Sequence, residues 1–172
     1  ESEGAPKDEE ESETQAGMDR SPLNVLVAED NRINQQVAIH LLETAGHSVR
    51  TVSDGNMAVT ALRENTYDVV LMDVQMPVMD GLEATMKIRE FELRSGRHTP
   101  IVGVTASAMK GDKERCIAAG MDGYVSKPLK ATDLYEELEK TLSRASKSTV
   151  FDYDTLLSRL GGDAALLSEV VG

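Results

Sequence analysis

From Asn24 to about Ala145, short apolar runs alternate with amphipathic stretches, and each switch between them is marked by Asn, Asp, Gly or Pro. Val25-Leu26-Val27-Ala28 reads as a first strand. Asn31 then sits at a helix start, with Ile33, Val37, Leu41 and Leu42 at helical spacing and Gly46 as a C-terminal stop. Ser48–Val52 is a short strand. Asp54-Gly55 opens a helix carrying Met57, Ala58, Ala61 and Leu62. Asp68–Asp73 is a central strand, and Gly81–Leu93 a helix with Leu82, Met86 and Ile88 inward. Pro100–Thr105 is the next strand, followed by a helix over Lys110–Ala119 that Gly120 ends. Gly123–Ser126 is the last strand. Thr132 caps a final helix with Leu134, Leu138 and Leu142 on one face.

Five strand–helix units in succession predict an α/β domain, a parallel sheet covered by helices on both faces. Right-handed crossovers leave few topologies, and five short units fit a doubly wound, flavodoxin-like sheet in the order 2-1-3-4-5. Its switch point falls between the first and third strands. Beyond a polar connector at Ser143–Thr149, Tyr153, Leu156, Leu157, Leu160, Leu166, Leu167 and Val170 recur at helical spacing, broken by Gly161-Gly162-Asp163. An extra C-terminal helical segment is therefore expected.

Composition changes this picture at the N-terminus. Residues 1–20 hold eight acids against Lys7 and Arg20, half of the chain's net charge of −12. Residues 1–22 read as an acidic, disordered linker. Aromatics are 3% of the chain and Trp is absent, so the core must be aliphatic and Met-rich, with Met72, Met76, Met79 and Met86 read as packing. The one cysteine, Cys116, excludes an intrachain disulfide, which fits a reducing compartment. No apolar run approaches the ~20 residues that span a bilayer. No basic cluster points to nucleic acid. His40, His47 and His98 lie in no phosphotransfer-type motif, and no transition-metal site is expected.

The candidate chemistry sits at strand ends. Asp73 closes Tyr67-Asp68-Val69-Val70-Leu71-Met72-Asp73 and feeds a loop containing Pro77 and Gly81. Glu29 and Asp30 close the first strand. Open α/β sheets bind ligands at that edge. Three carboxylates from two strand ends make an oxygen-rich pocket. Such a pocket binds a hard divalent cation and leaves one carboxylate as a nucleophile.

The strings Ala28-Glu29-Asp30-Asn31 and Leu71-Met72-Asp73-Val74-Gln75-Met76-Pro77, with Thr105-Ala106, Tyr124 and Lys127-Pro128 in order, resemble the receiver domain of two-component signalling, of the type attached to hybrid histidine kinases. The resemblance covers residues 23–145. It implies that Asp73 accepts a phosphoryl group from a histidine. Mg²⁺ would be held by Glu29, Asp30, Asp73 and the backbone carbonyl of Gln75. Lys127 would pair with the phosphoryl oxygens, Thr105 would hydrogen-bond them, and Tyr124 would follow Thr105 as a switch aromatic. The Lys127-Pro128 bond is expected to be cis. The family more often has two aspartates where this chain has Glu29-Asp30, a difference of side-chain length.

Phe151-Asp152-Tyr153-Asp154, Leu160-Gly161-Gly162-Asp163 and Leu167 resemble the opening of a histidine-phosphotransfer (HPt) domain, without its active histidine. The rival reading of residues 146–172 is an amphipathic helix that docks on the receiver or a partner. Two functions stay open. One is a relay module that takes phosphate from a kinase histidine and hands it to an HPt histidine, catalysing its own phosphorylation and dephosphorylation. The other is an interaction module whose phosphorylation controls a partner or kinase without onward transfer. The partners implied are a histidine kinase phosphodonor domain and an HPt protein or domain, with no nucleic acid and no direct membrane contact. The location implied is cytoplasmic, whatever anchor the parent kinase carries. A flavodoxin-like cofactor enzyme is disfavoured by the lack of a P-loop or G-x-G-x-x-G pattern.

Overall fold

The central strands are apolar at every position but the last, and they lie in the middle of a five-stranded parallel sheet of order β2-β1-β3-β4-β5. The computed structural model of the chain describes residues 21–148. Its elements are β1 (Asn24–Ala28), α1 (Arg32–Thr44), β2 (Ser48–Val52), α2 (Gly55–Glu64), β3 (Val69–Asp73), α3 (Gly81–Ser95), β4 (Ile101–Thr105), α4 (Lys110–Ala119), β5 (Gly123–Ser126) and α5 (Ala131–Ser148). The expected fold class and strand order are those observed.

Alternation along the strands divides the core in two. Leu26, Ala28, Val70 and Met72 pack with Ala58 and Leu62 of α2, Ala84 and Ile88 of α3, and Cys116 of α4. Val25, Val27, Leu71, Val102 and Val104 pack with Ala38 and Leu42 of α1 and Leu134, Leu138 and Leu142 of α5. The inner strands β1, β3 and β4 thus bury both faces, while β2 at the sheet edge leaves Ser48 and Arg50 exposed.

Helix ends follow local chemistry. Asn31 Oδ1 accepts the N–H groups of Ile33 and Asn34, Asp54 that of Met57, and Asp80 that of Glu83. Gly96 and Gly120 end α3 and α4 at φ 69° and 102°, a left-handed region where a Cβ is unfavourable. At the amino edge of the sheet, Arg89 of α3 donates to the carbonyls of Gly120 and Thr99 and pairs with Glu92 and Asp122. Asp122 also accepts from His98 and from the Ile101 N–H. Burial alone would raise the Asp122 pKa, but these hydrogen bonds and the Arg89 charge outweigh it and lower the pKa.

Four sequence expectations need correction. Met86, expected inward, is 54% exposed, because α3 turns Ala84, Thr85, Ile88 and Glu92 to the sheet instead. Ile33, Val37 and Met57 are likewise exposed, since alanines at neighbouring positions make the close helix–sheet contacts. Thr132 is not a cap: the Leu134 N–H already bonds to the Lys130 carbonyl, so the first turn closes before it. The connector expected from Ser143 is helical as far as Ser148, so residue 145 lies within α5. The HPt-like string at 151–172 and residues 1–20 of the expected linker at 1–22 lie outside the described residues.

His47 joins α1 to β2 with only 7% of its surface exposed. Its Nδ1 accepts the Leu23 N–H at 3.2 Å, and its Nε2 is buried without a partner among the described residues. Burial lowers its pKa below 6.5, against the opposing pull of Asp68. The unfolded chain therefore binds this proton more readily than the folded one. Its contribution to stability is complete above about pH 6.5 and falls as the pH drops toward the lower folded value. Urea midpoints at pH 7.5 and 5.5 should differ less in His47→Gln than in the parent, which loses stability at the lower pH. Equal acid sensitivity in both would show that His47 stays uncharged in the unfolded chain or titrates alike in both states.

Candidate functional site

Register sets the site. Ala28 is paired with Met72, so the residues that follow, Glu29 and Asp73, leave adjacent strands side by side. Asp73 in turn pairs with Val104, and Thr105 with Ser126, so the next residue, Lys127, joins the same edge. The Lys127 N–H bonds the Thr105 carbonyl at 2.7 Å. The Lys127–Pro128 peptide is cis. One pocket at this edge is lined by Glu29, Asp30, Asp73, Gln75, Thr105 and Lys127.

Inside it, Glu29 and Asp73 are 5% and 3% exposed, while Asp30 lies open to solvent. One oxygen from each of the three carboxylates lies within 4.8 Å of the others. Lys127 Nζ stands 2.9 Å from Asp73 Oδ2 and 3.0 Å from Glu29 Oε2. The second oxygens are held by backbone: Asp73 Oδ1 accepts the Gln75 N–H at 3.1 Å, and Glu29 Oε1 the Asn31 N–H at 3.0 Å. Burial would lower the Lys127 pKa; its hydrogen bonds to Asp73 and Glu29, with their charges, overcome that and raise it. The lysine therefore stays charged through the neutral range. Three carboxylates against one ammonium leave the pocket negative, and the donors are all hard oxygens. That set fits Mg²⁺ rather than a softer transition metal.

The remaining expected residues are placed less directly. The Thr105 hydroxyl is on the pocket wall but donates to the Ser107 carbonyl, along its own loop. Tyr124 is half-buried on β5, outside the pocket lining, with Lys113 Nζ 5.5 Å above its ring. Gln75 enters through its N–H.

Other pocket residues carried no separate signal in the sequence. Asn31 and Asn34 line it from α1, Ser107 from the β4–α4 loop, and Asp112 and Arg115 from α4. Asn31 was legible only as a helix start. Arg115 and Asp112 look like an ordinary helix-surface pair, 3.8 Å apart.

Beyond Pro77 the loop makes a tight turn. The Met79 N–H bonds the Pro77 carbonyl at 2.7 Å, around Val78 at φ 69°. That is a three-residue turn of the strained hand, centred on a β-branched residue. Val78 is 85% exposed, so no packing compensates. Val78→Gly should raise stability by about 1 kcal/mol, the relieved strain of ~1–3 kcal/mol exceeding the added chain entropy of glycine. Chemical denaturation measures this; a loss of stability would mean the side chain makes contacts that offset its backbone.

Residues 25–139 match the family model described as the response regulator receiver domain. Hybrid signal transduction histidine kinase I of Dictyostelium discoideum is 43% identical over 134 residues, 75% of this chain and 8% of that kinase. The chain thus spans a small part of the curated relative it matches. Among solved structures, the receiver domain of sensor histidine kinase PA1611 from Pseudomonas aeruginosa PAO1, with magnesium coordinated in its active-site cleft, is 40% identical with a TM-score of 0.65. The match covers 72% of this chain and 99% of that one. The receiver domain of Saccharomyces cerevisiae Ssk1, crystallised with the histidine phosphotransfer protein Ypd1, matches at 34% identity and a TM-score of 0.62 over 66% of this chain and 84% of that one. The chain belongs to the response regulator receiver domain family, of the type found in hybrid histidine kinases.

Proposed function

We propose that this chain is a phosphoacceptor relay module, in which Asp73 takes a phosphoryl group from a histidine and passes it to an HPt histidine. The observation that carries this reading is Asp73 itself. It is a nearly buried carboxylate at the mouth of a polar pocket, beside one ammonium and two further carboxylates.

An Asp73 oxygen attacks phosphorus as the phosphorus–nitrogen bond of the donor breaks. The electron pair leaves on the imidazole nitrogen, which takes up a proton, and an acyl phosphate remains on Asp73. A carboxylate meeting a phosphoryl group faces repulsion, so positive charge must be in place beforehand. Lys127, already on Asp73, is the resident charge; as a point charge on a flexible stem it can follow the phosphoryl oxygens. Glu29, Asp30, Asp73 and the Gln75 carbonyl would hold Mg²⁺. When bound, that ion supplies charge neutralisation at the transferring oxygens. The Gln75 N–H keeps one Asp73 oxygen oriented. Thr105 must turn its hydroxyl from the Ser107 carbonyl to reach the new group, and that movement is what Tyr124 would sense.

Onward transfer to an HPt partner is supported by the Ssk1 likeness. Control of a partner without transfer remains the second reading, favoured by the half-buried Tyr124, which lies on the strand beside β4 and outside the pocket lining. Residues 1–22 would serve as a charged linker, and the module would work in the cytoplasm. Among the described residues no helix is long and apolar enough to cross a membrane.

Beryllofluoride, a phosphoryl mimic, should bind with Mg²⁺ and fail to bind after chelation by EDTA. Asp30→Asn should raise the Mg²⁺ concentration for half-maximal binding by roughly tenfold or more, since it removes one carboxylate charge from the proposed ligand set. Incubating phosphorylated protein with an HPt protein then separates the two readings: label appearing on the HPt histidine supports relay, and label staying on this chain supports control. Metal-independent binding would overturn the assigned ligand set.

A further inference from the structure

A second concave surface lies at the amino edge of the sheet, away from Asp73. There α3 and α4 come to their C-terminal ends, and the last described turns of α5 lie beside them. A groove of about 840 Å³ opens between them, lined by Met86, Leu93, Ala119 and Ala145 and edged by Arg97 and His98. Leu93 is 86% exposed and Met86 54%. Isolated exposed apolar residues are ordinary. These two are seven positions apart on one helix and share a face, and alanines from two other helices extend the patch.

We propose that residues 151–160 of this same chain dock in that groove. The reach is short. Ala145 lines the groove, α5 runs through Ser148, and Thr149 and Val150 alone precede Phe151. A segment tethered so closely meets its site at a local concentration of roughly millimolar, enough to populate even a weak contact. The chemistry matches. Phe151, Tyr153, Leu156, Leu157 and Leu160 supply large side chains in a sequence otherwise polar, and a groove of this size holds several. The groove's lining is mixed in charge, with Arg97 and Glu90 on it, and the segment is mixed too: Asp152 and Asp154 can meet Arg97, which has no carboxylate partner among the described residues, and Arg159 can meet Glu90. Exposed pairs of this kind orient more than they stabilise. Docking there covers Leu93 and leaves the carboxylate pocket open, so the segment is anchored without obstructing Asp73. The inference is independent of whether Asp73 relays phosphate.

The test uses the full chain. Ser158→Cys carries a nitroxide label; Cys116 is buried, with its thiol pKa raised by that burial, so it does not compete for the reagent. The label should broaden the methyl signals of Leu93, Met86 and Ala119. Amide exchange over residues 151–160 should be slowed about tenfold relative to an unstructured chain. Both effects should disappear in Leu156→Asp/Leu157→Asp and in Leu93→Asp, a surface change that leaves the core intact. Exchange at the unstructured rate without broadening overturns the proposal. So does protection that survives Leu93→Asp, which places the segment elsewhere. Broadening in a mixture of spin-labelled and isotope-labelled chains would make a second copy the occupant, and equally overturns it.

Discussion

Asp73→Asn protein incubated with acetyl phosphate and Mg²⁺ should show no gain of a phosphoryl group by intact-mass measurement, under conditions that fully modify the parent. The substitution keeps the side chain's size and leaves an oxygen for the Gln75 N–H, so the loop after β3 has no reason to move. What it removes is the nucleophile, since an amide oxygen has neither the charge nor the basicity to form the acyl phosphate. Folding should survive. Lys127 loses one of two carboxylate partners and keeps Glu29 at 3.0 Å, while the crowding of three carboxylates is relieved. The two changes oppose each other, and stability should shift by no more than about 1 kcal/mol. Residual Mg²⁺-dependent modification would assign the acceptor to Asp30, the exposed neighbour, and would reverse the roles given to the two aspartates. A variant that unfolds would instead show that the Asp73–Lys127 pair holds the strand ends together.

Most of the scaffold was legible because it rests on periodicities that tertiary structure did not override. Buried strands such as Val69–Asp73 and Ile101–Thr105 are continuous apolar runs, and α4 is bracketed by Lys110 and a left-handed Gly120. The errors came where the apolar pattern is wider than the contact it serves. Met86 and Ile33 fit a helical stripe, yet the faces buried in the fold are Ala38 and Leu42 of α1 and Ala84, Thr85, Ile88 and Glu92 of α3. The site was legible in its strand-borne members for a related reason: sheet register carries Glu29, Asp73 and Lys127 to one edge whatever the loops do. Loop and helix contributors were not. Ser107 receives the Thr105 hydroxyl through a backbone carbonyl, which no side-chain motif encodes. Arg115 reaches the pocket wall only through the placement of α4. His47 gave no signal either, because the partner that holds its ring, the Leu23 N–H, is distant in sequence.

Gly81→Ala should destabilise the domain by about 2–3 kcal/mol and slow phosphorylation in whatever folds, although alanine is the better helix former by about 1 kcal/mol. Gly81 is the first residue of α3, and its N–H bonds the Val74 carbonyl at 3.0 Å. A Cβ there would run into the Asp73 carbonyl oxygen, with the Asp73 carbonyl carbon and Met72 Cγ each at 2.9 Å. The obstacle is backbone at the end of the central strand, paired on one side through Met72 with β1 and on the other through Asp73 with β4, and it has nowhere to move. Relief must come from α3 backing away or from Asp73 shifting, and either carries the acceptor off its bonds to Gln75 and Lys127. Gly111→Ala is the contrast: in α4, with nothing within 4 Å of the added carbon, it should stabilise by ~0.5–1 kcal/mol and leave phosphorylation unchanged. Urea denaturation and acetyl phosphate kinetics on both variants decide the point. If Gly81→Ala is as stable as Gly111→Ala, then α3 does not abut the acceptor strand, and the orientation of Asp73 must come from its bonds to Lys127 and the Gln75 N–H alone.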